Sequence, residues 1–170
     1  MPRRFDTAFM HPPASGGAPD ATLLAAVRAW CEAGAFAPMS LPLAVARVAP
    51  HASLDAVAGE LDGSHALARL GRWRGLAWRL ALWLRAPRPE DPWDCGWWRD
   101  DPAAAAAFRP RRPTLLLVRE PAPRKLAALL DTLRGSTRSY SLPLRVLVVS
   151  ALEAAEAPTI APLPHPGDPA

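Results

Sequence analysis

The sequence predicts an α/β protein in which a helical N-terminal half packs on a small parallel sheet. Thr114-Leu115-Leu116-Leu117-Val118-Arg119 and Leu144-Arg145-Val146-Leu147-Val148-Val149 are near-continuous apolar runs, the pattern of strands covered on both faces. Between them Leu126, Leu129, Leu130 and Leu133 recur at helical spacing, and strand, helix and strand at this separation make a βαβ unit. The first half instead carries helix caps and a 3.6-residue apolar period. At 170 residues, half of them hydrophobic, the chain suits one domain.

In chain order, residues 1–19 hold Pro12, Pro13, Gly16, Gly17 and Pro19 without periodicity and read as a flexible arm. Asp20 or Thr22 then caps a helix whose stripe is Leu23, Val27, Trp30 and Cys31, with Gly34 as its left-handed stop. From Ser40 to Pro50 the pattern fits either a helix or a short strand. Ser40-Leu41-Pro42-Leu43-Ala44-Val45 echoes Ser141-Leu142-Pro143-Leu144-Arg145-Val146, and if that echo is structural, residues 41–48 are a third strand. Ser53 opens a short helix stopped by Asp62-Gly63. Ser64 opens a longer one to Arg85, with Leu67, Leu70, Trp73, Ala77, Leu80 and Leu84 along its core face.

Residues 86–113 are punctuated by Pro87, Pro89, Pro92, Pro102, Pro110 and Pro113 and read as an ordered connecting loop. Its one helical island has Asp101 as cap and Pro102 at the first position. The βαβ unit closes a domain spanning 20–152 (helical half 20–85, loop 86–113, unit 114–152), and 153–170 read as a disordered Pro-rich tail. Two strands do not make a stable sheet alone, so partners must come from elsewhere in the chain or from another copy.

Composition tempers any argument from charge. There is no asparagine or glutamine, lysine occurs only at Lys125 and isoleucine only at Ile160, while alanine, arginine and proline abound, a bias expected of a GC-rich bacterial genome. The net charge of +4 is modest for this length. Cys31 and Cys95 form no CxxC pair and are expected as reduced thiols. The start lacks the apolar stretch of a secretory signal, and no segment approaches a membrane span, which predicts a cytoplasmic protein.

Several chemistries are disfavoured. The turn after the first strand of the βαβ unit is Glu120-Pro121-Ala122-Pro123, where a phosphate cradle needs glycines and backbone N–H donors, and neither GxxxxGK nor GxGxxG occurs. A degenerate nucleotide-binding fold without a phosphate loop remains a weaker alternative. His11, His51, His65 and His165 are scattered, so neither metal nor cofactor is expected. Ser136, Ser139 and Ser141 have no GxSxG elbow, and nothing assigns an acid, a base and a nucleophile together, which argues against an enzyme.

Two binding readings stay open. Residues 53–70 pair a capped short helix having the small Ala58, a tight turn at Asp62-Gly63 and a second capped helix, and in this they resemble the helix-turn-helix of winged-helix regulators. The resemblance implies a DNA-binding regulator presenting His65, Arg69 and Arg72 to a major groove. It departs from the family at Gly59 and in having no evident wing. Alternatively Trp93, Trp97 and Trp98, in a loop among acids, anchor a protein partner. The reading favoured is a non-enzymatic accessory or protein-interaction module of a bacterial cytoplasmic assembly, its partner a protein or a second copy completing the sheet. A membrane partner is disfavoured because arginines flank the 73–85 stripe on both sides.

Overall fold

The computed structural model describes residues 8–14, 16–36, 42–63, 72–84, 88, 91–119 and 122–150. Its elements run β1 (Met10–His11), α1 (Ala21–Glu32), β2 (Leu43–Val48), α2 (Leu54–Leu61), α3 (Arg72–Leu84), β3 (Asp94–Trp98), α4 (Pro102–Ala107), β4 (Thr114–Arg119), α5 (Pro123–Ser136) and β5 (Leu144–Val149). The strands form one sheet in the order β1-β3-β4-β5-β2, parallel throughout except for β1. The α/β class and the βαβ unit are as the apolar runs predict: β4 and β5 are parallel neighbours with Thr114 opposite Leu144 and Arg119 opposite Val149.

Leu115, Leu116, Leu117 and Val118 of β4, like every residue of β5, are buried. Successive strand residues point to opposite faces, so runs of this kind need cover on both. On one face Leu115, Leu117, Leu147 and Val149 meet Leu23, Val27 and Cys31 of α1 and Leu54, Val57 and Leu61 of α2. On the other, Leu116, Val118, Val146 and Val148 meet Ala105 of α4, Leu129 and Leu133 of α5, and Phe9, Phe108 and Tyr140. Each fully buried aliphatic side chain stabilises by about 1.5–3 kcal/mol.

Local chemistry explains most element ends. The Asp20 carboxylate accepts the Leu23 N–H at 2.8 Å to start α1, and Asp101 accepts those of Ala103 and Ala104 to start α4 behind Pro102. Gly34 and Gly63 take the left-handed conformation after α1 and α2. At the head of α2, Ser53 does not cap the helix. Its N–H and hydroxyl both bond His51 Nδ1, at 3.2 and 2.7 Å, forming a local turn.

The remaining sheet strands come from places the sequence pattern obscures. The third strand expected over 41–48 is present as Leu43–Val48: β2 pairs along its full length with β5, Leu43 opposite Leu144, while residue 41 lies outside the described residues. The N-terminal half is therefore not purely helical. The 86–113 segment is not loop throughout, because Asp94–Trp98 forms β3 beside β4. Its Asp-Cys-Gly start has poor strand propensity and prolines surround it, so only its partner strand defines it.

The N-terminal arm is likewise tied down where it is described. Met10 and His11 pair antiparallel with Trp98 and Trp97, and Phe9 is buried with its ring stacked on Phe108 at 4.1 Å. A strand of two residues is too short to show a period. Gly96 permits the approach, since a Cβ there would lie 2.7 Å from the His11 carbonyl oxygen and 2.8 Å from Met10 Cβ. The proposed tail, 153–170, lies outside the described residues.

The long helix begins at Arg72 in the described residues, and its core face is reversed from expectation. Trp73 is 84% exposed, Leu84 70%, Leu80 50% and Leu76 40%. Gly75 is buried and Trp78 half-buried, with Trp78 packed close to Gly63. Small and aromatic residues on the other side thus dock this helix, leaving the leucine stripe outward.

Two outcomes follow for stability. Leu116→Ala is expected to lower the unfolding free energy in urea by about 2–5 kcal/mol. Gly96→Val should cost about 1–3 kcal/mol and release β1, read as loss of amide protection at Met10 and Trp98.

Candidate functional site

The carboxyl ends of β3 and β4, with β1 alongside, frame an open cleft of about 520 Å³ lined by His11, Trp97, Trp98, Asp100, Arg119, Ala122 and Lys125. Carboxyl ends of parallel strands are where open α/β sheets place ligands, because the loops leaving them diverge to cover the two faces. Each side chain is positioned by sheet register. Trp97 and Trp98 are consecutive in β3 and therefore pack into opposite faces of the sheet. Arg119 ends the apolar run of β4, and Lys125 sits in the first turn of α5.

Polar contacts stiffen this arrangement. Trp97 Nε1 donates to the Asp55 carboxylate of α2 at 2.6 Å, and Asp55 also accepts the Ala14 N–H at 3.2 Å. The Arg119 guanidinium lies over the Trp97 ring, 4.3 Å from its centroid. Lys125 is ion-paired with Asp100, whose backbone holds a φ of 57°, a left-handed conformation that Asp and Asn tolerate better than most. Arg99, between Trp98 and Asp100, bonds back to β1 through its N–H to Phe9 O and its Nε to Met10 O. Trp98 Nε1 is shut off from solvent with no acceptor among the described residues.

Of the residues singled out as partner anchors, Trp93 is buried and serves the core. Trp97 and Trp98 are half-buried strand residues and form walls of the cleft instead of a protruding loop. Trp73, assigned from the sequence to the core, is an exposed indole. His65 and Arg69 lie outside the described residues, and Arg72 opens α3 with its side chain likewise outside them. The first helix of the helix-turn-helix resemblance is α2, which lies in the chain between β2 and β3 with most of its residues buried.

Basic residues also cluster in the sequence from 109 to 125, and the structure divides them between the two ends of the sheet. Arg112 bonds Asp94 and the Pro92 carbonyl before β3, and Arg109 bonds the Ala106 and Phe108 carbonyls, whereas Arg119 and Lys125 reach the cleft. Asp91, Asp94, Asp100 and Asp101 are divided too, among the Arg88 N–H, Arg112, Lys125 and the α4 cap. Sequence reasoning missed His11 and did not connect Arg119 to the tryptophans. The charge that terminates an otherwise apolar strand was the available signal.

A second polar cluster lies inside the core. Arg145 is buried in β5 and donates to the carbonyls of Cys31 and Ala33 at the end of α1, at 3.2 and 3.1 Å. A guanidinium at a helix C-terminus satisfies carbonyls the helix itself leaves over. Cys31 and Cys95 are both reduced and buried. Burial pushes the Cys31 thiol up to about 12, against the pull of Arg145, and raises Cys95 as well. Thiols held protonated are poor nucleophiles, so this cluster is structural.

In comparisons with known proteins, no family model, curated protein or solved structure matches this chain. What the fold itself defines is an open, mostly parallel α/β protein with a cationic, indole-walled cleft at its strand ends.

Both thiols should resist a neutral aromatic disulfide reagent in the native protein at pH 8 and react fully in denaturant. The unfolded chain loses thiol protons above pH 9, whereas folded Cys31 retains its proton to about pH 12. Stability is therefore present below pH 9 and falls as pH rises through that window, measured as a declining urea midpoint.

Proposed function

We propose that this chain is a non-enzymatic interaction module of a bacterial cytoplasmic assembly and that it docks a protein partner through α3. One observation carries the reading: Trp73, Leu76, Leu80 and Leu84, spaced three and four residues apart, form an exposed apolar stripe on a helix whose other side is seated on the domain. Exposed large apolar side chains in a continuous row are a recognised mark of interaction surfaces, and tryptophan is the residue most enriched at their energetic centres. An amphipathic helix presenting anchors at this spacing fits a hydrophobic groove.

Charge narrows the partner. The sequence from 72 to 84 carries Arg72, Arg74 and Arg79 and no acid, and Arg74 is exposed. The complementary surface is an apolar groove with an acidic rim. No helix among the described residues is long and apolar enough to cross a membrane, and a cytoplasmic setting is part of this proposal.

A photoreactive phenylalanine analogue at position 76, in the native host, tests the reading. The expected outcome is a single protein adduct, with an acid-rimmed groove, that unmodified protein competes away. Trp73→Ser/Leu80→Ser protein should compete at least roughly tenfold less well. Adducts to lipid or DNA, or competition indifferent to those two substitutions, overturn it. Salt-sensitive duplex binding in anisotropy that is lost with Arg69→Ala/Arg72→Ala would favour the regulator reading instead.

A further inference from the structure

We propose that the cleft at the carboxyl ends of β3 and β4 binds the carboxylate of a small organic acid, with Arg119 as the recognition group. The Arg119 guanidinium has one face against Trp97, and Trp97 is itself fixed by its hydrogen bond to Asp55. The stack orients the planar fork while leaving its N–H edge open: Arg119 is exposed, and its guanidinium has no hydrogen-bond partner among the described residues. An arginine whose orientation is set before binding loses less side-chain freedom when it grips an anion, and its paired N–H groups match the two oxygens of a carboxylate.

The charge count selects a monoanion. Among the described residues of the lining, Arg119 and Lys125 bring two positive charges and Asp100 one negative, and Asp100 already occupies Lys125. One anionic equivalent thus completes the site. A phosphate dianion is poorly served, because tight phosphate sites draw on several backbone N–H donors at the strand-to-helix turn, and the turn here carries Pro121 and Pro123. The Trp98 indole and Ala122 supply an apolar wall for the body of the acid. The cleft volume of about 520 Å³ lies within the range of small-molecule sites.

Calorimetry with the full chain at low salt tests this, using 3-phenylpropionate, its neutral amide and phenyl phosphate, with the indole N–H resonances followed in parallel. Expected are saturable one-to-one binding of the acid, roughly tenfold or weaker binding of the amide, and movement of the Trp97 indole signal. Arg119→Gln, at an exposed position, should lose about tenfold in affinity while keeping the parent urea midpoint, and Arg119→Lys should recover only part of the loss. Asp100→Asn, which the left-handed backbone accepts and which releases Lys125, should shift preference toward phenyl phosphate. The proposal is overturned if acid and amide bind alike, if neither binds at millimolar concentration, if phenyl phosphate binds the parent more tightly than the acid, or if Arg119→Gln binds as the parent does.

Discussion

Everything in this fold answers to the need of β4 and β5 for cover on both sides. Their side chains are apolar in both directions, so neither strand can lie at a wetted surface. The chain meets the demand by placing α1 and α2 over one face and α4 and α5 over the other. That division requires it to leave β2 at one border, cross the sheet to β3, and step back inward through β4 to β5. Among the described residues Arg145 is the most deeply buried charge. Its guanidinium is tolerated because the carbonyls at the end of α1 receive it, and the contact ties the interior strand β5 to a helix far away in sequence.

What the sequence made legible is what local physics determines. The Asp20 and Asp101 caps and the glycine stops rest on residues within a turn or two of one another, each run of the βαβ unit carries its own local pattern, and all are found in place. The remaining strands were hidden for the opposite reason. β3 has a glycine and an aspartate where strand formers would be expected, and β1 is two residues long. Both are strands because of what lies beside them, and pairing partners leave no periodic trace in their own stretch of chain. The α3 error has a related origin. Helical spacing identifies a stripe, but not whether anything in the same chain covers it.

The cleft was illegible in yet another way. Its groups come from the arm, from the end of β3, from the end of β4 and from the first turn of α5, and only the register of the strands assembles them. Trp97 and Trp98 are visible as candidates and Arg119 as the charge that ends an apolar run. Their meeting depends on β3 lying next to β4, with Trp97 opposite Leu117 and Arg119 two residues beyond. Arg112 and Arg119, which flank β4 at its two ends, serve opposite ends of the sheet.

The two borders of the sheet are unlike. At one, β1 lies over β3, and Gly96 lets it come close. At the other, β2 has β5 as its only sheet neighbour among the described residues and turns a row of backbone donors and acceptors outward. Should two molecules ever join there about a twofold axis, the symmetry would reverse the direction of one β2 against the other. The seam would then be antiparallel inside an otherwise parallel assembly, and each molecule's strand-end cleft would open on the opposite rim of the joined sheet.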